Sequence, residues 1–184
     1  MSPLLAGKGL TLVRGGRLLF EGLNLKLDAG EAIHVVGPNG SGKSSLLRLV
    51  AGLLRPTSGR IERAPAALAD EALALDRELP MGRALTFWGG PHLSQAIAAF
   101  DLDRLAAVPV RLLSTGQAKR ARLARVVASG APLWLLDEPM NGLDRKGVSE
   151  LDRAIAAHFA SGGAVLAASH VPLSGDWRIL ELGA

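Results

Sequence analysis

Eight consecutive residues carry the strongest chemical signal in the chain. Gly37-Pro38-Asn39-Gly40-Ser41-Gly42-Lys43-Ser44 fits the pattern G-x-x-x-x-G-K-[ST], with Ser45 directly behind it. Glycines at these spacings let backbone N–H groups curl round a phosphate chain, and a helix that starts at the lysine adds the positive end of its dipole. In such a loop Lys43 reaches the β- and γ-phosphates and the Ser44 hydroxyl binds Mg²⁺. A second signal is Leu133-Trp134-Leu135-Leu136-Asp137-Glu138, an apolar run that ends in two carboxylates. Alone, it would read as a solvated strand end. Beside a phosphate loop, Asp137 is expected to hold Mg²⁺ through water and Glu138 to orient or deprotonate an attacking water. A third segment, Leu113-Ser114-Thr115-Gly116-Gln117, opens a helix in which Ser114 reads first as an N-cap. His34, His92 and His158 show no metal-ligand spacing, so structural or surface roles are expected of them.

These residues need elements to hold them. Residues 4–28 alternate apolar and polar around Gly15-Gly16, as antiparallel strands joined by a tight turn would. Residues 31–37 read as a buried strand running into the glycine-rich loop, and residues 43–53 as a helix. Residues 59–63 suit a short strand, whereas 64–79 are rich in Ala and Leu and match no single pattern. Short helical patterns fill 81–110, broken at Gly89-Gly90-Pro91 and Pro109. A firmer helix is predicted over 114–128, then a strand at 133–137, a helix at 145–159, and strands at 164–169 and 178–182. Buried strands alternating with helices imply a parallel sheet covered on both faces, the fold class α/β.

Composition narrows the function. The 184 residues, 48% hydrophobic and 21% charged, suit one folded domain over 1–184 and exclude a disordered chain. No apolar run approaches the ~20 residues of a spanning helix. The absence of Cys removes disulfides, thiolate metal sites and cysteine nucleophiles. A net charge of +4 is a mild basic signal, and only 4 Phe and 3 Trp leave little for stacking bases, so no nucleic-acid partner is expected. Lys119, Arg120, Arg122 and Arg125 read as a solvated basic face, and Phe87 and Trp88 as helix core or, secondarily, a docking surface. A mean hydropathy of +0.25 is in keeping with apolar surface reserved for a partner.

The run 113–117, about twenty residues before Asp137, resembles the LSGGQ signature of ABC ATPases. Asn141-Gly142-Leu143-Asp144 is similar to the family's D-loop, and His170, after an apolar strand, to its switch histidine. The order Lys43, Ser114, Asp137, Glu138, Asp144, His170 is the family's order, and the resemblance covers essentially the whole chain. It implies a phosphate-loop ABC ATPase fold: an antiparallel β opening, a mainly parallel sheet core and a small inserted helical subdomain at about 79–112. It implies ATP with Mg²⁺, and a homodimer of ATPase subunits formed upon ATP binding. Two copies would pack head to tail, so that Ser114, Thr115, Gly116 and Gln117 of one face the γ-phosphate held by the other, with Asp144 close by. Lys43, Glu138 and His170 would then be catalytic. A binding module that does not turn over would lack Glu138 or His170, and both are present.

Shorter strings point to a subtype. Leu85-Thr86-Phe87-Trp88, the run 131–139, Ser169-His170-Val171-Pro172-Leu173 and Ile179-Leu180-Glu181-Leu182-Gly183 resemble the ATP-binding subunits of bacterial haem exporters in c-type cytochrome biogenesis. This implies integral-membrane transporter subunits as partners, a peripheral position on the cytoplasmic face of the bacterial inner membrane, and ATP coupled to haem export or to release of haem-loaded chaperone. An ATPase subunit for an amino acid, lipid or metal complex would keep the same motifs, since cargo passes through the membrane partner. A chromosome-maintenance ATPase would insert long coiled coils, and no heptad run exists. Three positions depart from the family. Where it stacks adenine on an aromatic, Arg14 stands, with Phe20 the nearest ring; either Arg14 stacks through its guanidinium or the base contact is weak. The family's Q-loop glutamine is missing, with Asp70 or Glu71 in its place, and Thr115 replaces a glycine.

Overall fold

The protein is described by a computed structural model over residues 2–70 and 75–183. In chain order the elements are β1 (Leu5–Arg14), β2 (Arg17–Leu27), β3 (Ala32–Val36), α1 (Lys43–Val50), β4 (Ser58–Arg63), β5 (Ala66–Ala69), α2 (Met81–Thr86), α3 (Leu93–Ala99), α4 (Thr115–Ala128), β6 (Leu133–Asp137), α5 (Arg145–Ala160), β7 (Ala164–Ala168) and β8 (Arg178–Glu181). The alternation around Gly15-Gly16 becomes the β1–β2 hairpin, both turn glycines having the positive φ that a two-residue turn demands. β4 adds to the other edge of β1, making an antiparallel sheet in the order β2-β1-β4.

The second sheet has the order β5-β6-β7-β3-β8, with every neighbouring pair parallel. Its inner strands β6, β7 and β3 are buried on both faces because both faces are covered, whereas the edge strand β8 is largely exposed, and period-two alternation sorts the inner side chains. Leu133, Leu135 and Leu166 point into one core with Leu46, Leu47 and Leu49 of α1 and Leu5, Leu10 and Leu27 of the hairpin. Trp134, Leu136 and Val165 point into the other, with Leu123 and Val126 of α4, Leu151 and Ile155 of α5, and Leu85 and Phe100. Truncating a fully buried leucine such as Leu47 to alanine costs about 2–5 kcal/mol.

Two segments differ from their sequence patterns. Residues 64–79 contain β5, a short edge strand whose Ala and Leu residues suit helix as well as strand; pairing with β6, Ala66 opposite Leu133 through Ala69 opposite Leu136, decides. The helix expected over 43–53 stops at Val50, because the chain turns at Gly52 with φ 81°. Between α3 and α4 lie two single 3₁₀ turns, and Pro80 bridges Pro109, tying the two ends of the intervening segment. Among the described residues no helix is long and apolar enough to cross a membrane.

Candidate active site

Parallel strands deliver their C-terminal ends to one edge of the sheet, which is where open α/β sheets bind ligands. Val35 of β3, Ala168 of β7 and Asp137 of β6 stand abreast on adjacent strands. One or two residues further on begin the loop Gly37 to Ser44, the pair Ser169-His170, and Glu138, so pairing alone gathers three motifs that lie far apart in the chain.

The loop's shape depends on Gly37 and Gly42. A Cβ on Gly37, at φ 145°, would lie 2.2 Å from the carbonyl oxygen of Leu182, so no other residue fits. That oxygen belongs to the chain leaving β8, whose Leu182 N–H donates to Val36 at 2.9 Å. The string 179–183, read from sequence as a subtype mark, therefore also buttresses the loop; no local pattern announces this. Gly42 caps α1 at φ 104° without a side-chain bond to the helix, leaving the first N–H groups of α1 facing the loop. Lys43 is buried and donates from Nζ to the carbonyls of Gly37 and Pro38, at 2.7 and 3.1 Å.

A cavity of about 500 Å³ opens over this loop, lined by Arg14, Leu19, Asn39, Gly40, Lys43, Ser44, Ser45, Glu138, Asn141 and His170. A larger groove, about 1010 Å³, lies on the outer face of the antiparallel sheet among Lys8, Lys26 and Arg60 and includes no motif residue. The chemistry assigns the smaller one. On its far wall Glu138 adopts φ 45°, a left-handed conformation unusual for a residue with a side chain. Its N–H donates to Ala168 at 2.8 Å and its carboxylate meets His170, Oε1 lying 3.5 Å from Nε2 and Oε2 3.4 Å from the backbone N–H. His34, buried on β3, binds the Ser169 carbonyl through Nε2 at 2.9 Å and so steadies the turn that carries His170.

Asp137 ends β6 with the Ser44 hydroxyl of α1 nearby. Burial pushes its pKa up, the Ser44 hydroxyl opposes this, and the negative charges of Glu138 and Asp70 add to the rise. One hydroxyl and one under-compensated carboxylate form a hard-oxygen pair that fits Mg²⁺, which keeps most of its ligands as water and phosphate oxygens. Among the described residues there is no cluster of three His, Cys, Asp or Glu side chains that could hold a metal unaided. Asp70, one of the two candidates for the glutamine position, is buried in an ion pair with Arg48 at 3.0 Å. Glu71, the other, lies outside the described residues.

The signature residues sit elsewhere. Ser114 caps α4, its Oγ accepting from Gln117 N–H at 3.3 Å while Gln117 Oε1 accepts from Ser114 N–H at 2.9 Å, a reciprocal capping box. Asp144 caps α5 by accepting from Gly147 N–H at 2.8 Å. Ser114, Gly116, Gln117, Gly142 and Asp144 share a separate cleft of about 140 Å³ and do not line the phosphate cavity. Thr115 lies beside another small pocket, with Leu113 and Arg122.

Three readings from sequence need correction. The basic face of α4 is not simply solvated: Lys119 is buried and donates to the Glu138 carbonyl at 2.7 Å, and Arg125 is buried against the Leu68 carbonyl. Phe87 and Trp88 are not core, being 83% and 42% exposed, with Trp88 lying over the Arg125 guanidinium at 4.6 Å. Phe20 is packed into the core and is not a free ring for a base.

A family model described as ABC transporter matches residues 20–141. With the phosphate loop, the parallel sheet and the carboxylate strand, this defines the class: the ATP-binding ATPase subunit of an ABC transporter. A solved ATP-binding subunit of an ABC transporter superposes with a TM-score of 0.87 at 22% identity, covering 98% of this chain and 88% of that one. A dimeric bacterial ABC transporter cassette gives 0.84 at 22% identity, covering 97% and 94%. The chain is 55% identical over 181 residues to the cytochrome c biogenesis ATP-binding export protein CcmA of Sphingopyxis alaskensis, covering 95% of this chain and 93% of the relative. To the CcmA of Novosphingobium aromaticivorans it is 58% identical over 163 residues, covering 88% and 85%. The chain belongs to the ABC transporter family, in its CcmA group.

Proposed function

We propose that two copies of this chain pack head to tail around ATP and hydrolyse it to drive an export step in cytochrome c biogenesis. The observation that carries this is the division of the site. The phosphate cavity holds Lys43, Ser44, Glu138 and His170 but no signature residue, while Ser114 and Gly116 present a capped helix start on a different face. A second copy supplies what the first lacks.

Lys43 exchanges its loop carbonyls for phosphate oxygens, and the loop N–H groups take the negative charge. Ser44 and Asp137 would hold Mg²⁺, which supplies neutralisation of the phosphate charge. Glu138, pinned by its backbone and by His170, accepts a proton from water as the water oxygen bonds to the γ-phosphorus and the bond to the bridging oxygen breaks. Gly37 to Ser45 bind the phosphates; Ser114, Thr115, Gly116, Gln117 and Asp144 complete the partner's site. The expected cargo step is haem export or release of haem-loaded chaperone through integral-membrane subunits, with the ATPase peripheral on the cytoplasmic face. The names of its CcmA relatives support the export step in cytochrome c biogenesis.

Lys43→Ala is expected to abolish hydrolysis. Glu138→Gln keeps the shape but lacks a base, so it should trap an ATP-bound dimer in size-exclusion chromatography. Hydrolysis at the wild-type rate in the first variant, or a strictly monomeric second one, would overturn the site. Deleting the gene should abolish c-type cytochromes, and normal levels would overturn the export step alone.

A further inference from the structure

We propose that Arg14 and Arg17, at the tip of the β1–β2 hairpin, form a two-guanidinium clamp on the triphosphate, facing the glycine-rich loop. The proposal rests on the nucleotide reading above and adds residues that the loop motif does not contain.

The first observation is an electrostatic conflict. Arg14 and Arg17 are direct cross-strand partners flanking the Gly15-Gly16 turn. Like charges placed opposite each other on paired strands repel and destabilise the pair. Neither takes part in any of the eight ion pairs among the described residues. A pair of this kind is relieved by an anion bound between its members.

The second observation is where the hairpin puts them. A Cβ on Gly42 would lie 3.1 Å from the Leu19 Cβ, so the absent side chain lets β2 dock against the start of α1. That contact places Arg14 Nη1 3.4 Å from Ser45 Oγ, one residue past the Mg²⁺-binding serine. On the other side, Arg17 Nη1 lies 3.6 Å from where a Gly40 Cβ would stand, over the apex of the loop. Arg14 lines the cavity over the loop, and Arg17 stands at its rim beside Gly40, so a phosphate chain cradled by the loop would have one guanidinium over the helix start and the other over the apex. Planar guanidinium forks match phosphate oxygens better than ammonium groups do. Both side chains are exposed, so they are free to close on a ligand.

The test compares two ligands on the full chain, ATP and inorganic tripolyphosphate, each with Mg²⁺, by titration calorimetry at low and moderate salt. Arg14→Ala and Arg17→Ala should each weaken both ligands by about tenfold, as expected for loss of a charged hydrogen bond. The double variant should also show a shallower loss of affinity with salt than the wild type. Arg14→Lys should recover part of the loss. Thermal melts should show every variant folded, since the tip buries neither side chain, and Arg14→Gln and Arg17→Gln keep the stems if an alanine variant melts early. Weakened ATP with unchanged tripolyphosphate would make Arg14 a base contact and overturn the clamp, as would unchanged binding of both. Lys43→Ala separates the two levels: if it binds ATP as the wild type does, the nucleotide site itself is wrong.

Discussion

At the scale of one residue, Asp137, the proposed Mg²⁺ ligand, carries a cost to the fold. Burial raises its pKa, and a carboxyl whose folded pKa exceeds its unfolded value favours the protonated form in the native state. Its unfavourable contribution therefore grows as pH rises through the ordinary Asp range near 3.8 and stays in full once the folded pKa is passed. Asp137→Asn should raise the melting temperature of the nucleotide-free protein at neutral pH, by about 2–4 °C for each kcal/mol regained, while stabilisation by MgATP disappears. Differential scanning calorimetry with and without MgATP checks both halves. Glu138 is a parallel case, since its left-handed backbone persists only because β7, Lys119 and Asn141 bind its main chain from three sides.

At the scale of elements, Lys119 links the helix that opens at Ser114 to the carbonyl of Glu138. Lys119→Met keeps the buried stem and removes the donor. It should lower kcat by about tenfold with KM for ATP nearly unchanged, and Lys119→Arg should restore most of the rate. A matching rise in KM would show that the lysine serves the binding site and not the position of Glu138. On α5, His158 is buried and stacked on Trp134 of β6 at 3.9 Å, with Gly163 leaving room for the ring. Burial lowers its pKa, so the neutral ring is the native form. The stability it provides is complete above the ordinary value near 6.5 and is lost as pH falls through the lowered one. The wild-type melting temperature should drop more steeply below pH 6.5 than that of His158→Gln, which thermal melts across pH 5–8 can resolve.

At the scale of the whole molecule, the exposed aromatics are where the proposed membrane subunit would dock. Phe87 and Trp88 meet edge to face at 5.1 Å, with most of Phe87 in solvent. Large aromatics left outside a core are disproportionately interface anchors. Phe87→Ala should leave the melting temperature and ATP binding unchanged while moving the protein from the membrane fraction to the supernatant. Trp88→Ala should do the same with a small loss of stability, about 1 kcal/mol, because Trp88 also covers Arg125. If both variants stay folded and membrane-bound, the docking surface lies elsewhere.

The sequence by itself determined whatever depends on contiguous residues. The loop 37–44, the apolar run ending at Asp137-Glu138, the cap at Ser114 and the hairpin at Gly15-Gly16 are local, since backbone geometry and side-chain chemistry within a few residues dictate each. Alternating buried strands and helices were equally legible, because both faces of a parallel sheet must be apolar. What only the tertiary structure decided was pairing across the chain. β5 became a strand because β6 offered it an edge; Leu182 came to rest against Gly37 because β8 joined β3; and Lys119 and Arg125 turned inward because main-chain carbonyls of other elements awaited them. A long charged side chain reads as solvated in any local window, since the acceptor that buries it lies elsewhere in the sequence. Arg14 stood out in the sequence only as a replacement for a base-stacking aromatic and Arg17 not at all, because the contact between Leu19 and Gly42 that sets both beside the glycine-rich loop joins residues far apart in the chain.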